Sequence, residues 1–294
     1  MILNNNKYIF SYKKSIDNIK LISKYLDNSG THLVKDISIN NIWYLKYYKT
    51  NIDITRSIIN ENIENIIDKK MNNKNSEIHK IINIFIEEYK NNNNIIKINE
   101  LNINIKLCLH FIVIIIIQIF LNYSNKQYIE SIILVIERYF YNKIYNFIFI
   151  NYIIYYKSFD INLLNKIKKL KKNDINNINF IKIDSNILEI LNFNNYINTI
   201  NSINIYNSPI DKLYIIEMLF KMLCYDLKDK CKLTNVGTDI LLPLLIYIII
   251  ISDIKYLYSE MKYIEEFLQP FLSNGKYGYL SVMLNSSIMT IYNS

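Results

Sequence analysis

Near its C-terminal end the chain reads Gly237-Thr238-Asp239, followed at once by a run of aliphatic residues. After Asp239 the next acidic residue is Asp253. A carboxylate at such a boundary has two uses. Thr238 or Asp239 can cap the helix that the run predicts, accepting from its unpaired N–H groups. Alternatively, the carboxylate stands exposed at a helix start, aimed outward as an isolated anion. Other chemistries lack their residues. With four glycines in the chain there is no phosphate-binding loop, and neither a nucleophile elbow nor a His-carboxylate spacing occurs. Cys108, Cys224 and Cys231 are scattered, as are His32, His79 and His110, so neither a disulfide framework nor a zinc site is predicted.

Position and neighbours set the elements that must hold Asp239. Leu241–Ile251 is an apolar run with Pro243 near its start. It is too short for a membrane span, which needs about 20 apolar residues. It predicts a central helix, apolar on nearly every side. A second run, Leu107–Leu121, is broken by His110 and Gln118 and bracketed by Lys106 and Asn122. It is read the same way, with an integral membrane protein as the alternative. Apolar positions recur at three and four over Ile129–Phe149 and Leu163–Leu170. Asp211–Leu227 predicts a further helix, capped by Ser208 or Asp211, with Pro209 in its first turn. No Asn-Gly or Asp-Gly turn links alternating runs, so strands are not expected. The fold class is therefore all-α.

The 294 residues suffice to bury a full core. Alanine is absent and Arg56 and Arg138 are the two arginines, while Asn, Ile, Lys and Tyr are abundant. Such a bias is what an AT-rich coding sequence imposes. The formal charge of +8 follows partly from it. Taken alone, that charge suggests nucleic acid or an anionic membrane. Nucleic-acid readers rely on Arg for bidentate contacts, so no nucleic-acid partner is expected. The first hundred residues alternate Asn-Lys tracts with short amphipathic pieces around Ile16–Tyr25 and Ile58–Ile67. Trp43 lies among tyrosines there and reads as a core aromatic. The opening residues MILNNNKYIF have no apolar core of a secretory signal, so a cytoplasmic location is expected.

The spacing of several residues resembles the vacuolar protein sorting nine (Vps-nine) domain, which exchanges nucleotide on Rab-five-type GTPases. The residues concerned are Asp239, Pro243, Leu245-Ile246-Tyr247, Tyr263-Ile264 with Phe267, Gly278-Tyr279 and Leu284. Ser208-Pro209-Ile210-Asp211-Lys212-Leu213 and Glu137-Arg138 with Ile144-Tyr145 and Phe149 match further elements. The similarity is clearest over 129–294, with the catalytic half at 205–294. It implies a layered helical domain over 101–294, preceded by a helical, Asn/Lys-rich region over 1–100.

The resemblance further implies that Asp239 is an acidic finger promoting GDP release. Pro243, Tyr279, Val282, Ile246 and Leu242 are then the GTPase-binding residues, and no cofactor or metal is implied. The expected partner is a Rab-five-type small GTPase in its nucleotide-free or GDP form, with an endosomal membrane as a peripheral partner. Early endosomes or transport vesicles are the expected site of action. Ile240 stands where the family has a second acidic residue, and Val282 where it has Thr; Ser281 is the neighbouring hydroxyl. These departures keep open a degenerate module that binds a Rab without exchange.

Overall fold

The computed structural model describes residues 129–172, 183–269 and 272–294, together with scattered residues between 69 and 113. Trp43, the amphipathic pieces before residue 68 and most of Leu107–Leu121 lie outside the described residues. The chain divides into two compact units, Met1–Phe147 and Ile148–Ser294. Among the described residues there is no strand, and the fold is all-α.

Helix α1 (Ile129–Tyr155) runs through the boundary between the units. Within the first unit it buries Ile133, Ile136, Phe140, Tyr141 and Ile144, the three-and-four spacing expected of a helix facing a core. The second unit continues with α2 (Lys157–Lys172), α3 (Ser185–Ile190), α4 (Phe193–Asn201) and a short 3₁₀ turn (Ser202–Ile205). Then come α5 (Pro209–Asp229), α6 (Thr238–Ile251), α7 (Leu257–Phe267) and α8 (Lys276–Asn293). Helix α6 packs against α8, α4 and α2, and α5 against α4, α7 and α8. Helix α7 packs against α8 and α2.

Local chemistry explains several of these ends. Pro209 sits in the first turn of α5, where its missing N–H costs nothing. Ser208 precedes it in extended conformation, but its hydroxyl makes no capping bond. Asp184 and Asn192 do cap, accepting from Asn186 N at 2.9 Å and Asn194 N at 3.1 Å. Asn192 thereby starts α4 inside an Asn-rich stretch whose low hydropathy conceals a helix. Tyr256, at the entry to α7, has φ 52°, the left-handed region that a tyrosine rarely adopts. The start of α7 is fixed from α2 instead. Asp160 accepts from Tyr258 N at 2.9 Å and Ser259 N at 3.2 Å, and from the Ser259 hydroxyl.

The apolar run becomes α6, with Leu241, Leu244, Leu245, Ile246, Ile248, Ile249 and Ile250 buried. Each such side chain contributes about 1.5–3 kcal/mol when taken from water. At about 1.5 Å per residue the helix is roughly 21 Å long, short of the hydrocarbon core of a bilayer. Among the described residues, no helix is long and apolar enough to cross a membrane.

Candidate functional site

Helix α6 begins after Gly237, which is extended and offers its carbonyl to Ile240 N at 3.2 Å and Leu241 N at 3.0 Å. Thr238 is thus the first helical residue and Asp239 the second. Neither is the cap residue that the sequence suggested, because Gly237 occupies that place. Asp239 is exposed, and none of the described residues pairs with it. Its carboxylate lies back over Gly237, close to where a side chain on that residue would stand. A negative charge in a first turn is favoured by the helix dipole, so the anion costs the fold little there.

Pro243 stands inside α6 rather than in its first turn. Four residues after Asp239, it has no N–H to give to the Asp239 carbonyl. The spacing therefore leaves the Asp239 carbonyl without its intrahelical donor. Pro243 and Leu242 are partly exposed, whereas Ile246 is buried at 3 % exposure. Ile246 accordingly supports this surface from beneath and offers it no contact area. Burial follows from its place one turn further on, where α6 enters the core between α4 and α8.

Helix α8 supplies the aromatic partner. Its entry is tight: Gly278 N donates to Leu272 O at 3.1 Å. A Cβ on Gly278 would lie 1.8 Å from the Ser273 carbonyl oxygen, closer than any side chain tolerates. The glycine lets α8 approach the preceding loop, and Tyr279 follows it outward. Tyr279 is 42 % exposed and Val282 62 % exposed, one helical turn apart. Tyr279 Oη and Thr238 Oγ1 hydrogen-bond each other at 3.0 Å, joining the starts of α6 and α8. Asp239, Tyr279 and Val282 are therefore brought to one solvent-facing end of two packed helices. Ile240 and Ser281 are partly exposed beside them.

Behind this end lies a buried polar brace. Lys212 is fully buried in α5 and pairs with Glu260 of α7 at 2.8 Å. It also donates to Ile203 O at 2.9 Å, and its ammonium lies 5.8 Å from the Phe149 ring centroid and 6.0 Å from that of Tyr263. Burial pulls the Lys212 ammonium below the ordinary lysine range, and Glu260 offsets part of that. Tyr263 Oη donates to Asn207 O at 2.7 Å, so the Tyr263-Ile264 element serves the same brace. Phe267 and Leu284 are core residues. Glu217 of α5 meets Lys221 at 2.6 Å and Lys276, the first residue of α8, at 3.0 Å. Sequence reasoning missed Glu260, Asp160 and the Thr238–Tyr279 pair, because their partners lie 48, 98 and 41 residues away.

The family model described as Vacuolar sorting protein 9 (VPS9) domain matches residues 193–294, from the start of α4 to the end of α8. Over this segment the chain is similar to VPS9 domains. The match contains Asp239, Tyr279, Lys212 and Glu260, while Asp160 and the Glu137-Arg138 element lie before it. Glu137 itself is buried at 2 % exposure. No curated protein matches the chain. VPS9 domains bind small GTPases of the Rab type, and the domain implies a Rab exchange-factor type of function. Among the described residues no group of three or more His, Cys, Asp or Glu could hold a metal ion. Cys108, Cys224 and Cys231 are free thiols.

Proposed function

We propose that the chain promotes GDP release from a Rab-five-type GTPase on early endosomes or transport vesicles, with Asp239 as the acidic finger. The supporting observation is the exposed, unpaired Asp239 carboxylate in the first turn of α6, beside exposed Tyr279 and Val282. A GTPase holds its nucleotide through phosphate contacts and a magnesium ion. Nanomolar binding corresponds to about 12 kcal/mol. An exchange factor does no covalent chemistry. It binds the empty GTPase better than the loaded one, and reciprocal coupling then weakens the nucleotide.

A carboxylate entering the phosphate site repels the β-phosphate and displaces the magnesium ion that bridges the phosphates. It also gives the phosphate-loop lysine a substitute partner. Such a charge-assisted bond is worth about 1.5–3 kcal/mol. Tyr279, Val282, Leu242 and Pro243 form the apolar contact surface for the switch regions, with Ile246 as its buried support. No cofactor is required of this chain.

The test is release of labelled GDP from a panel of Rab proteins, with wild type and Asp239→Ala. Acceleration by wild type, lost in the variant, is the expected result. The substitutions at Ile240 and Val282 favour one other reading, a tether that binds a Rab without exchange. Stable binding to the nucleotide-free GTPase with no acceleration of release would select the tether.

A further inference from the structure

Helix α2 carries six lysines, Lys157, Lys166, Lys168, Lys169, Lys171 and Lys172, against one acidic residue, Asp160. Asp160 is turned inward to cap α7. Two of the lysines also serve the fold. Lys171 donates to Ser252 O at 2.9 Å, at the end of α6, and Lys166 donates to Ser294 O, after the end of α8. Cations at these positions complement the negative ends of both helices. Lys157, Lys168, Lys169 and Lys172 are exposed, and no described acidic residue pairs with them.

Residues 157, 161, 164, 168 and 172 recur at three and four and share one face of α2. They are Lys, Ile, Leu, Lys and Lys, and all five are exposed, with Ile161 at 47 % and Leu164 at 44 %. A neighbouring face, about 120° around the helix, buries Leu163 and Ile167 in the core. The helix therefore has two apolar stripes, one packed and one flanked by lysines in water. This chain covers surfaces with Asn and Lys, as at Asn162 and Asn165 on the same helix. Ile161 and Leu164 are two of several exposed aliphatics among the described residues, and the lysines on the same face set them apart.

We propose that this stripe of α2 is a docking surface for an anionic lipid membrane. Lysine ammoniums reach the phosphate level while Ile161 and Leu164 enter the boundary between headgroups and acyl chains. The exposed aliphatics and the absence of Arg from α2 favour a membrane over nucleic acid. Asp253 and Lys255, both exposed, follow Ser252 in sequence and offset each other in charge. The placement also suits the molecule. Lys171 touches the C-terminal end of α6, whereas Asp239 stands in its first turn, roughly 20 Å away along the helix. A membrane held at one end leaves the other free. The inference does not rest on the exchange reading.

The full chain is sedimented with vesicles of phosphatidylcholine alone and with vesicles containing about 30 % phosphatidylserine. Binding is expected to the anionic vesicles and to be released by salt, since the Debye length shrinks to about 3 Å at 1 M. Lys168→Gln with Lys172→Gln should weaken it roughly 25-fold, about five-fold per lysine. Ile161→Asn with Leu164→Asn should weaken it separately, while the thermal unfolding midpoint stays at the wild-type value for both pairs. Equal binding to neutral vesicles, no sedimentation of the wild type, or wild-type binding by both variants overturns the proposal. Wild-type retention on nucleic acid that vesicles do not compete overturns it as well.

Discussion

Two regions of the second unit use the same kinds of residue to opposite ends. In the brace between α5 and α7, Lys212 and Glu260 are removed from water and turned toward each other. At the α6–α8 end, Asp239 has no partner among the described residues and faces solvent. Burying a charge is costly unless it is paired, so the brace can persist only because its members complete one another. An exposed carboxylate carries no such requirement and is free to meet an external ligand. The brace holds α5 and α7 in register, α8 packs on both, and α8 presents Tyr279 beside the Asp239 turn. One region is rigid so that the other can be presented.

The largest effect expected from this contrast is on the brace. Lys212→Ala leaves Glu260 charged and buried, and should destabilise the fold by about 3–5 kcal/mol. Urea unfolding would measure it. Replacing both partners by apolar residues, Lys212→Met with Glu260→Leu, should recover most of that loss, because no orphaned charge remains. If the double variant is as unstable as the single one, the pair is not acting as an isolated charge balance.

Asp239→Asn should behave in the reverse manner. It keeps the shape of the side chain and removes its charge, so stability should change by less than about 0.5 kcal/mol. The rate constant for GDP release should fall between about 10-fold and 150-fold, the equivalent of one charge-assisted bond. A large loss of stability in this variant would mean that the carboxylate serves the fold, and would erase the distinction between the two regions.

Gly278→Ala sits between these extremes, since it acts on the tight entry to α8, the helix that carries Tyr279. The added methyl meets the Ser273 carbonyl, which belongs to backbone and cannot swing aside. The expected cost is about 1–3 kcal/mol, with a parallel loss of exchange as the entry of α8 shifts Tyr279. Exchange that survives a measured loss of stability would show that Tyr279 can move without consequence.

Much of this arrangement was legible in the chain. The apolar run and the Gly-Thr-Asp before it located α6, because aliphatic density and a helix start are local properties. The Ser208–Leu213 element located the start of α5 for the same reason. What escaped was non-local or one residue out of place. Thr238 and Asp239 were read as cap candidates, yet Gly237 takes the extended cap conformation and moves both into the first turn. Pro243, near the start of the apolar run, lies inside α6 for the same reason. Ile246 was assigned to the binding surface because family spacing does not report burial, which depends on how α6 is surrounded. Lys212 was recognised as part of a motif without its purpose, since Glu260 lies in another helix. Helix α4 was missed because Asn-rich composition hides amphipathicity that Tyr196 and Ile200 nonetheless provide, both at 0 % exposure.

The smallest effect is electrostatic and depends on pH. Burial opposes ionisation of Glu217, but hydrogen bonds and charge from Lys221 and Lys276 prevail and hold its carboxyl below the ordinary glutamate range. A depressed carboxyl contributes stability that is fully present above the unfolded value, about 4.3, and is lost as pH falls through the folded value. Both lysines are substantially exposed, so the contribution is at most about 1 kcal/mol and shrinks with added salt. Urea midpoints of wild type and Glu217→Gln should therefore differ most at neutral pH and low salt, and converge toward pH 3. If they keep a constant separation across that range, the glutamate acts through packing against α8 and not through charge. In that case the link from α5 to the start of α8 belongs with the steric control exerted by Gly278.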